Sequence, residues 1–235
     1  MRISCLLLSI YGILFLPTNG EQLSSAISKM EPYSTILRGQ VESIELNNVS
    51  SSGVTVVVKL KLELLNNGAT SIIFLAAEPS LLVGATLAKS PVDSLSGKNL
   101  IMEYAGPGVD TSPKWAMLRK SLDQSYPPYD KVRILKPNES WKLEDSVGIS
   151  MPTESGKNNI HFPKRESWEV IQKASPVWLR VICEVWPLNL EPSSSDRTEL
   201  KFGHKLQRRW ERDGFLLLKP LYSDPLKLDL QNIKQ

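Results

Sequence analysis

The fold of this chain is decided by the stretch Val54-Thr-Val-Val-Val-Lys-Leu-Lys-Leu-Glu-Leu-Leu65. Apolar side chains occupy every second position of it, and Lys59, Lys61 and Glu63 stand between them. A helix would scatter these residues around its circumference, so the period of two predicts a strand with one face in a core and one in water. A one-sided strand is typical of an antiparallel sheet.

A turn and a second apolar run follow this strand. Asn67-Gly68 belongs to a pair of residue types that adopt positive φ at low cost, and Ile72-Ile-Phe-Leu75 comes directly after it. We therefore expect the chain to reverse at Asn67-Gly68 and to continue as a hairpin through residues 69–75.

Other segments repeat the strand pattern at intervals along the chain. They are 35–47, short pieces within 76–90, 99–104, 132–135, 140–149, 177–188, 215–219 and a last strand that starts at Asp224. About eight short strands with turn residues between them predict a two-sheet sandwich. No linker separates two halves, so we expect residues 21–235 to form a single domain.

Two insertions interrupt the strands, at 106–130 and 152–176. In the first, Pro113 is expected to begin a helix that places Trp115, Leu118 and Leu122 on one face. In the second, Trp168 and Ile171 indicate a short helix near 166–173. A further basic helix is expected at 204–212, after a loop at 192–196.

The alternating stretch, the turn Asn66-Asn67-Gly68 and the run Ile72–Leu75 together resemble immunoglobulin-like domains of exported proteins, in which strands B and C meet across such a turn. The resemblance covers Val54–Leu75 and, loosely, the final strands. It implies an all-β, immunoglobulin-like antiparallel β-sandwich with two short helical insertions. The Cys…Trp…Cys hallmark is missing, and this fold hosts so many functions that the resemblance implies no activity.

Residues 1–20 have the pattern of a secretory signal peptide. Arg2 precedes an apolar run from Ile3 to Leu16, and Thr18 and Gly20 place small residues before a cleavage site. The run is shorter than the ~20 residues of a membrane-spanning helix. We expect cleavage before Glu21, export to the periplasm or the extracellular space, and no transmembrane segment in the mature chain.

Charge and cysteine content restrict the possible partners. The chain has 28 Lys+Arg and 25 Asp+Glu, and the loss of Arg2 with the signal peptide lowers the net charge from +3 to about +2. This balance is too small to indicate a nucleic-acid partner. After cleavage Cys183 is the one remaining cysteine, so an intramolecular disulfide is excluded.

The residues that could carry chemistry form no recognisable set. His161, Cys183 and His204 are the soft metal ligands, and their spacing matches no zinc motif, so no metal or cofactor is predicted. Cys183 lies among apolar strand residues and is expected to be a buried, inert thiol. Ser155 lacks a Gly-x-Ser-x-Gly context, although a triad assembled in space stays open.

Acidic residues are too numerous for a catalytic pair to be selected. The candidates are Glu103, Asp110, Glu144, Asp145, Glu169 and Glu184. Glycoside hydrolysis needs two carboxylates roughly 5–10 Å apart, and no pair stands out. No catalytic, cofactor-binding or metal residue is therefore assigned.

Two surfaces are candidates for binding. Aromatic residues occur in the insertions (Trp115, Tyr126, Tyr129, Phe162, Trp168), and Trp178 and Trp186 flank Arg180 on one strand face. Aromatic rings bind sugars or peptides, but packing in the core is the simpler explanation for the tryptophans. The segment 197–213 carries six Lys/Arg, and its helix 204–212 suits an anionic surface. A solvated helix docked by Leu206 and Trp210 is again simpler.

These observations predict a non-enzymatic exported sandwich that binds a protein or glycan partner at the cell envelope or outside the cell. The alternative is an exported hydrolase or protease-inhibitor-like protein that acts through its loop insertions. A cleft containing two carboxylates or a Ser–His contact would favour the alternative.

Overall fold

The computed structural model describes residues 34–75, 82–103, 113–157, 165–186, 194–231 and 233. These residues all fall within one compact unit, Pro32–Gln235. The expected signal peptide and its cleavage site before Glu21 lie outside the described residues. The strands are β1 Thr35–Val49, β2 Gly53–Asn66, β3 Ile72–Leu75, β4 Leu82–Ala88, β5 Ile101–Glu103, β6 Val132–Leu135, β7 Ser140–Pro152, β8 Val177–Glu184, β9 Phe215–Leu216, β10 Leu221–Tyr222 and β11 Leu226–Leu228.

Helices lie between these strands, so the chain is mostly β rather than all-β. They are α1 Pro91–Ser96, α2 Pro113–Leu122, α3 Trp168–Ala174 and α4 Ser194–Arg209. The strands form three sheets. The first has the order β1-β2-β7, the second has the order β10-β8-β4-β5 with β11 also paired to β8, and the third has the order β6-β3-β9. Pairing is antiparallel except between β3 and β9, which are parallel.

The alternation predicted for β2 is confirmed. Every second side chain from Val54 to Leu64 is buried, and Leu60 is 0% exposed. The intervening Lys59 and Lys61 are exposed, and each lies within 3 Å of a carboxylate on β1. Because β2 pairs with β1 on one side and β7 on the other, it is the central strand of the first sheet.

The first two sheets share one hydrophobic cluster, which we call the main cluster. The buried face of β2 contributes six side chains to it, β7 adds Val147, Ile149 and Met151, and β8 adds Val177, Leu179, Val181 and Cys183. Trp168 and Ile171 of α3 belong to the same cluster. The expectation that Trp168 anchors its helix in the core is therefore confirmed.

The hairpin expected between β2 and β3 is wrong. β2 pairs with β1 and β7, whereas β3 lies in the third sheet with β6 and β9. Asn67 and Gly68 do not take positive φ; instead the buried Asn66 side chain donates to the carbonyls of Thr70 and Leu135, each at 2.9 Å. The side chain thus holds the turn open and directs the chain out of the first sheet.

The physical reason for this departure lies in β3 itself, because its side chains are buried on both faces. Ile72 and Phe74 contact the main cluster. Ile73 and Leu75 point the other way, into a second cluster. A hairpin partner of the one-sided β2 would expose one of these faces to water, so β3 needs cover on both sides.

The second cluster joins the third sheet to α2 and α4. Its buried members are Ile73, Leu75, Leu118, Leu122, Val132, Trp186, Phe202, Leu206, Trp210, Leu216 and Leu218. The helix of the first insertion begins at Pro113, as predicted, and it packs here. The helix of the second insertion packs in the main cluster, so the two insertions do not share a cluster.

Helix α4 differs from its prediction at both ends. It begins at Ser194, ten residues before the expected start, and ends at Arg209 rather than at residue 212. Residues 194–196 are helical although the sequence pattern predicted a loop there. Serine and aspartate are weak helix formers in the interior but suit a first turn, where their side chains can serve free N–H groups.

Helix α1 was not predicted, although its capping residues are present in the sequence. Ser90 caps the helix by accepting a hydrogen bond from the N–H of Asp93, and Pro91 occupies the first turn. Gly97 ends the helix in the left-handed conformation with φ of 76°. Ser-Pro at the start and Gly at the end are recognised helix signals. The helix has only six residues, which is too short for an apolar periodicity to support these signals.

Candidate binding face on helix α4

Helix α4 presents one face to the second cluster and the opposite face to solvent. We call the exposed cations Lys201, Lys205, Arg208 and Arg212 the basic face. Their spacings of four, three and four residues place the first three on one side of the helix, and Arg212 follows just beyond its end. His204 is exposed within the same stretch.

Apolar packing fixes the orientation of α4. Leu206 and Trp210 are each 0% exposed, which confirms that these two residues dock the helix on its own domain. The Trp210 indole N–H donates to the carbonyl of Gln124 at 3.1 Å, and Phe202 packs against Trp186. The helix therefore cannot turn its apolar face to an external partner without losing this core.

An ion pair joins α4 to α2 beneath the surface. Arg119 Nη1 lies 2.7 Å from Glu199 Oε1, and the Glu199 side chain is 3% exposed. The Arg119 guanidinium also stacks over the Phe202 ring at 4.8 Å from its centroid. This contact holds the two helices in a fixed relation.

Asp123, just after α2, is shared by two cations of α4. Its Oδ1 lies 2.7 Å from Arg209 Nη1 and 3.3 Å from Lys205 Nζ. These hydrogen bonds, first from Arg209 and then from Lys205, lower the pKa of the Asp123 carboxyl. Arg209 also donates to the Gln124 carbonyl at 2.9 Å. Arg209 therefore makes its contacts within the fold, to Asp123 and to the Gln124 carbonyl. Lys205 shares Asp123 with Arg209, so its charge is only partly neutralised.

The remaining cations of the basic face have no such partner. Lys201, Arg208 and Arg212 are exposed and form no ion pair with the residues that the structure describes. Glu199 lies beneath them and is paired with Arg119. Three of the four cations of the basic face therefore carry positive charge that no described residue pairs with, and the packed helix gives them a rigid support.

Exposed apolar and aromatic residues lie on α2, on the loop after it and on α4. We call Met117, Tyr126, Tyr129 and Leu200 the apolar flank; they are 67%, 57%, 70% and 36% exposed. Met117 is on α2 and Leu200 is on α4, the two helices that the Arg119–Glu199 ion pair joins. Tyr126 follows Gln124, the acceptor for Arg209 and Trp210.

The loop that carries the two tyrosines is anchored at its centre. Pro127 and Pro128 are buried, and the Pro128 carbonyl accepts from the N–H groups of Lys131 and Val132 at 2.8 and 3.0 Å. Because the prolines are fixed, Tyr126 and Tyr129 project from a constrained backbone. The sequence predicted that these aromatics lie in an insertion but gave no sign that both are exposed.

The aromatic residues of β8 do not form one accessible surface. Trp186 is 1% exposed and packs in the second cluster. Trp178 is half-buried, and the Arg180 guanidinium lies over the ring of Tyr222 at 4.6 Å from its centroid while its Nε donates to the Ser223 carbonyl. Trp178 and Trp186 therefore do not act as paired platforms for a ligand.

The soft ligands are not brought together. Cys183 is 1% exposed in the main cluster, and burial, with smaller effects from Asp145 and Glu184, raises the pKa of its thiol to about 12. His204 lies on the exposed side of α4, within 3.2 Å of Gln207 Oε1. His161 lies outside the described residues, which contain no group of three metal-ligating side chains.

The acidic candidates are dispersed as well. Glu144 and Asp145 are consecutive on β7, so their side chains leave opposite faces of the sheet. Glu184 is buried on β8, and Glu169 on α3 accepts the N–H of Glu154 at 3.0 Å. Ser155 donates to the Ser51 carbonyl within a turn. Asp110, Phe162 and the side chains of Glu103 and Trp115 fall outside the description.

Local sequence patterns did not predict the ion pairs that connect α4 to α2 and to the residue after it. Arg119 and Glu199 are 80 residues apart, and Asp123 is 86 residues from Arg209. No periodicity connects positions at such separations. The basic composition of 197–213 was the available signal, and it located the helix but not its partners.

In comparison with known proteins, no family model, no curated protein and no solved structure matches the chain. None of the described helices has both the length and the apolar character needed to cross a membrane. Among the described residues, the basic face is the surface that bears most directly on function.

Proposed function

We propose that the protein is an exported, non-enzymatic binding protein that contacts an anionic partner through the basic face. The observation that carries this proposal is that Lys201 and Arg208 of α4, and Arg212 just beyond its end, are exposed and form no ion pair with the described residues, while the other face of the helix packs in the second cluster. Cations held on a rigid helix lose less conformational freedom on binding than cations on a free chain.

The electrostatics of the face suit a multivalent anion better than a single small one. Lys201, Lys205 and Arg208 extend over two turns of α4, and Arg212 continues beyond its end. A polyanion can contact all of them at once, and the attraction then depends steeply on salt. The exposed Asp123 carboxylate is shared by Arg209 and Lys205 and partly neutralises Lys205.

We further propose that the first two sheets form an immunoglobulin-like sandwich. In that fold the first sheet contains A, B and E as neighbours and the second contains C, F and G. The orders β1-β2-β7 and β4-β8-β10 can be matched to these, with β4 rather than β3 in the place of strand C. The third sheet, α2 and α4 are then additions to the sandwich, and they carry the binding face.

Export is part of the same proposal and rests on the signal-like pattern of residues 1–20. The alternative, a hydrolase or inhibitor-like protein acting through both insertions, is disfavoured because α2 and α3 pack in different clusters. Intact mass of protein recovered after export tests the cleavage, and a mass that retains residues 1–20 would contradict it.

A polyanion column tests the binding function. Immobilised heparin should retain the protein and release it with salt. The variant K201Q/K205Q/R208Q should elute at clearly lower salt, whereas K142Q/K219Q/K227Q, which removes the same charge from exposed positions elsewhere, should elute close to the unaltered protein. Equal shifts for the two variants, or no retention of the unaltered protein, would overturn the proposal.

A further inference from the structure

The apolar flank narrows the class of anionic partner. We infer that the basic face binds an anionic lipid surface, with Met117, Tyr126, Tyr129 and Leu200 entering the interfacial region beside it; this inference rests on the proposed function. The flank and the basic face are tied together by the contacts of Arg119 and Asp123 across α2 and α4.

Among the described residues, no hydrogen bond, ion pair or buried cluster includes the four side chains of the flank. Its four side chains are between 36% and 70% exposed, although the neighbouring Leu118, Leu122 and Phe202 are buried in the second cluster. A hydrated polar anion leaves large apolar side chains in water, so its binding would gain no free energy from burying the flank. A lipid surface is the anionic partner that removes them from water.

The residue types also suit the boundary between lipid and water. Tyrosine places an apolar ring in the acyl region and a hydroxyl among the head groups. Lysine and arginine stems cover apolar surface while their charged ends reach the lipid phosphates. Helix α4, with 16 residues and therefore about 24 Å long, presents Lys201, Lys205 and Arg208 on the side opposite the second cluster, where a flat anionic surface can contact all three.

A hydrated polyanion such as a sulfated glycan would use the same cations and leave the flank in water. The two partners therefore differ in one measurable property, the dependence of binding on the flank. The variant M117S/Y126S/Y129S removes apolar side chains without changing charge. The exposure of all three positions allows the substitutions without disturbing the second cluster.

The experiment is co-sedimentation of the exported protein, its mass recorded, with vesicles of phosphatidylcholine alone or of phosphatidylcholine with phosphatidylglycerol. Binding should require the anionic lipid. K201Q/K205Q/R208Q should weaken it on the order of 100-fold, and M117S/Y126S/Y129S on the order of tenfold. K142Q/K219Q/K227Q should bind as the unaltered protein does. Circular dichroism melts of each variant verify folding, and the salt dependence of the unaltered protein provides an independent measurement.

The outcomes distinguish the lipid inference from the proposed function. Retention on heparin that M117S/Y126S/Y129S leaves unchanged, together with its loss of vesicle binding, supports the lipid surface. Retention on heparin without binding to anionic vesicles overturns the lipid inference and leaves the proposed function in place. Equal vesicle binding of the flank variant and the unaltered protein also overturns it. Failure to bind either probe overturns both.

Discussion

The main cluster and the second cluster are built by different means within one chain. The main cluster draws on long strands whose side chains alternate, above all β2 and β8. The second cluster collects one or two residues each from α2, β3, β6, α4, β9 and the segments that follow β8, α4 and β9. It also contains polar contacts, such as the Arg119–Glu199 pair and the bond from Trp210 to Gln124.

Because they are built differently, the two clusters leave different outer surfaces. A core made by periodic strands has exposed positions at every second residue, and on β2 these are occupied by cations paired with carboxylates on β1. A core made by helices and loops leaves a continuous outer surface free for other use. In this chain that surface is the basic face with its apolar flank.

The largest effect is expected in the main cluster. Leu60→Lys should prevent folding, because an unpaired charge would replace a side chain that is 0% exposed. Leu60→Ala should lower the free energy of unfolding by about 2–5 kcal/mol through the cavity it leaves. Lys61→Ala should scarcely move the midpoint of chemical denaturation. Similar midpoints for Leu60→Ala and Lys61→Ala would show that β2 is not one-sided.

The start of β9, where it pairs with β3 in the third sheet, should be nearly as sensitive to substitution. Gly214 has φ of 154°, and a Cβ there would lie 2.6 Å from the Ser71 carbonyl oxygen, where β9 begins to pair with β3. Gly214→Ala should therefore cost about 2–4 kcal/mol. Gly97→Ala, at positive φ but in open space, is the matched control and should cost about 1 kcal/mol. Thermal or urea denaturation compares them, and equal losses would contradict the close approach.

A smaller loss is expected from the polar contacts of the second cluster. Arg119→Met removes the cation from the buried Glu199 and should destabilise the protein by about 1–2 kcal/mol. Combining it with Glu199→Gln should recover part of that loss, because the neutral amide tolerates burial better. Denaturation of Arg119→Met, Glu199→Gln and the double variant gives the comparison. If the double variant is as unstable as the two single losses added together, the pair is not coupled.

The smallest perturbation is a chemical probe of the main cluster. Cys183 should react slowly with a thiol reagent in the native state and rapidly in denaturant, since burial raises its pKa from 9.0 to about 12 and limits access. Because the pKa of Cys183 is raised on folding, its contribution to the free energy of unfolding is full below pH 9 and is lost as the pH rises toward 12. Fast labelling of the folded protein would show that the main cluster opens at β8.

Sequence reasoning worked where one period dominates a segment. It located β2 to within a residue at each end, and it placed Cys183 in the core and Trp168 as an anchor, because each lies in a regular pattern. It did not find the third sheet. β3 and β9 are four and two residues long, and their parallel pairing joins Ile72 to Phe215 across most of the chain, so no local signal exists for it.

The candidate site was predicted in composition rather than in geometry. The excess of cations at 197–213 and the docking role of Leu206 and Trp210 were visible in the sequence. The state of each charge was not, because the decisive partners Arg119 and Asp123 come from α2. The exposure of Tyr126 and Tyr129 depends on two buried prolines, and burial in a loop has no period to reveal it.

Residues 215–228 impose an order on the synthesis and folding of the chain. They supply β9 to the third sheet, β10 and β11 to the second, and Ser223, which bridges Leu37 of the first. While this segment is still on the ribosome, two sheets lack strands and the first lacks its bridge. Contacts between positions so far apart form slowly. The second and third sheets therefore cannot be completed before residues 215–228 have been synthesised.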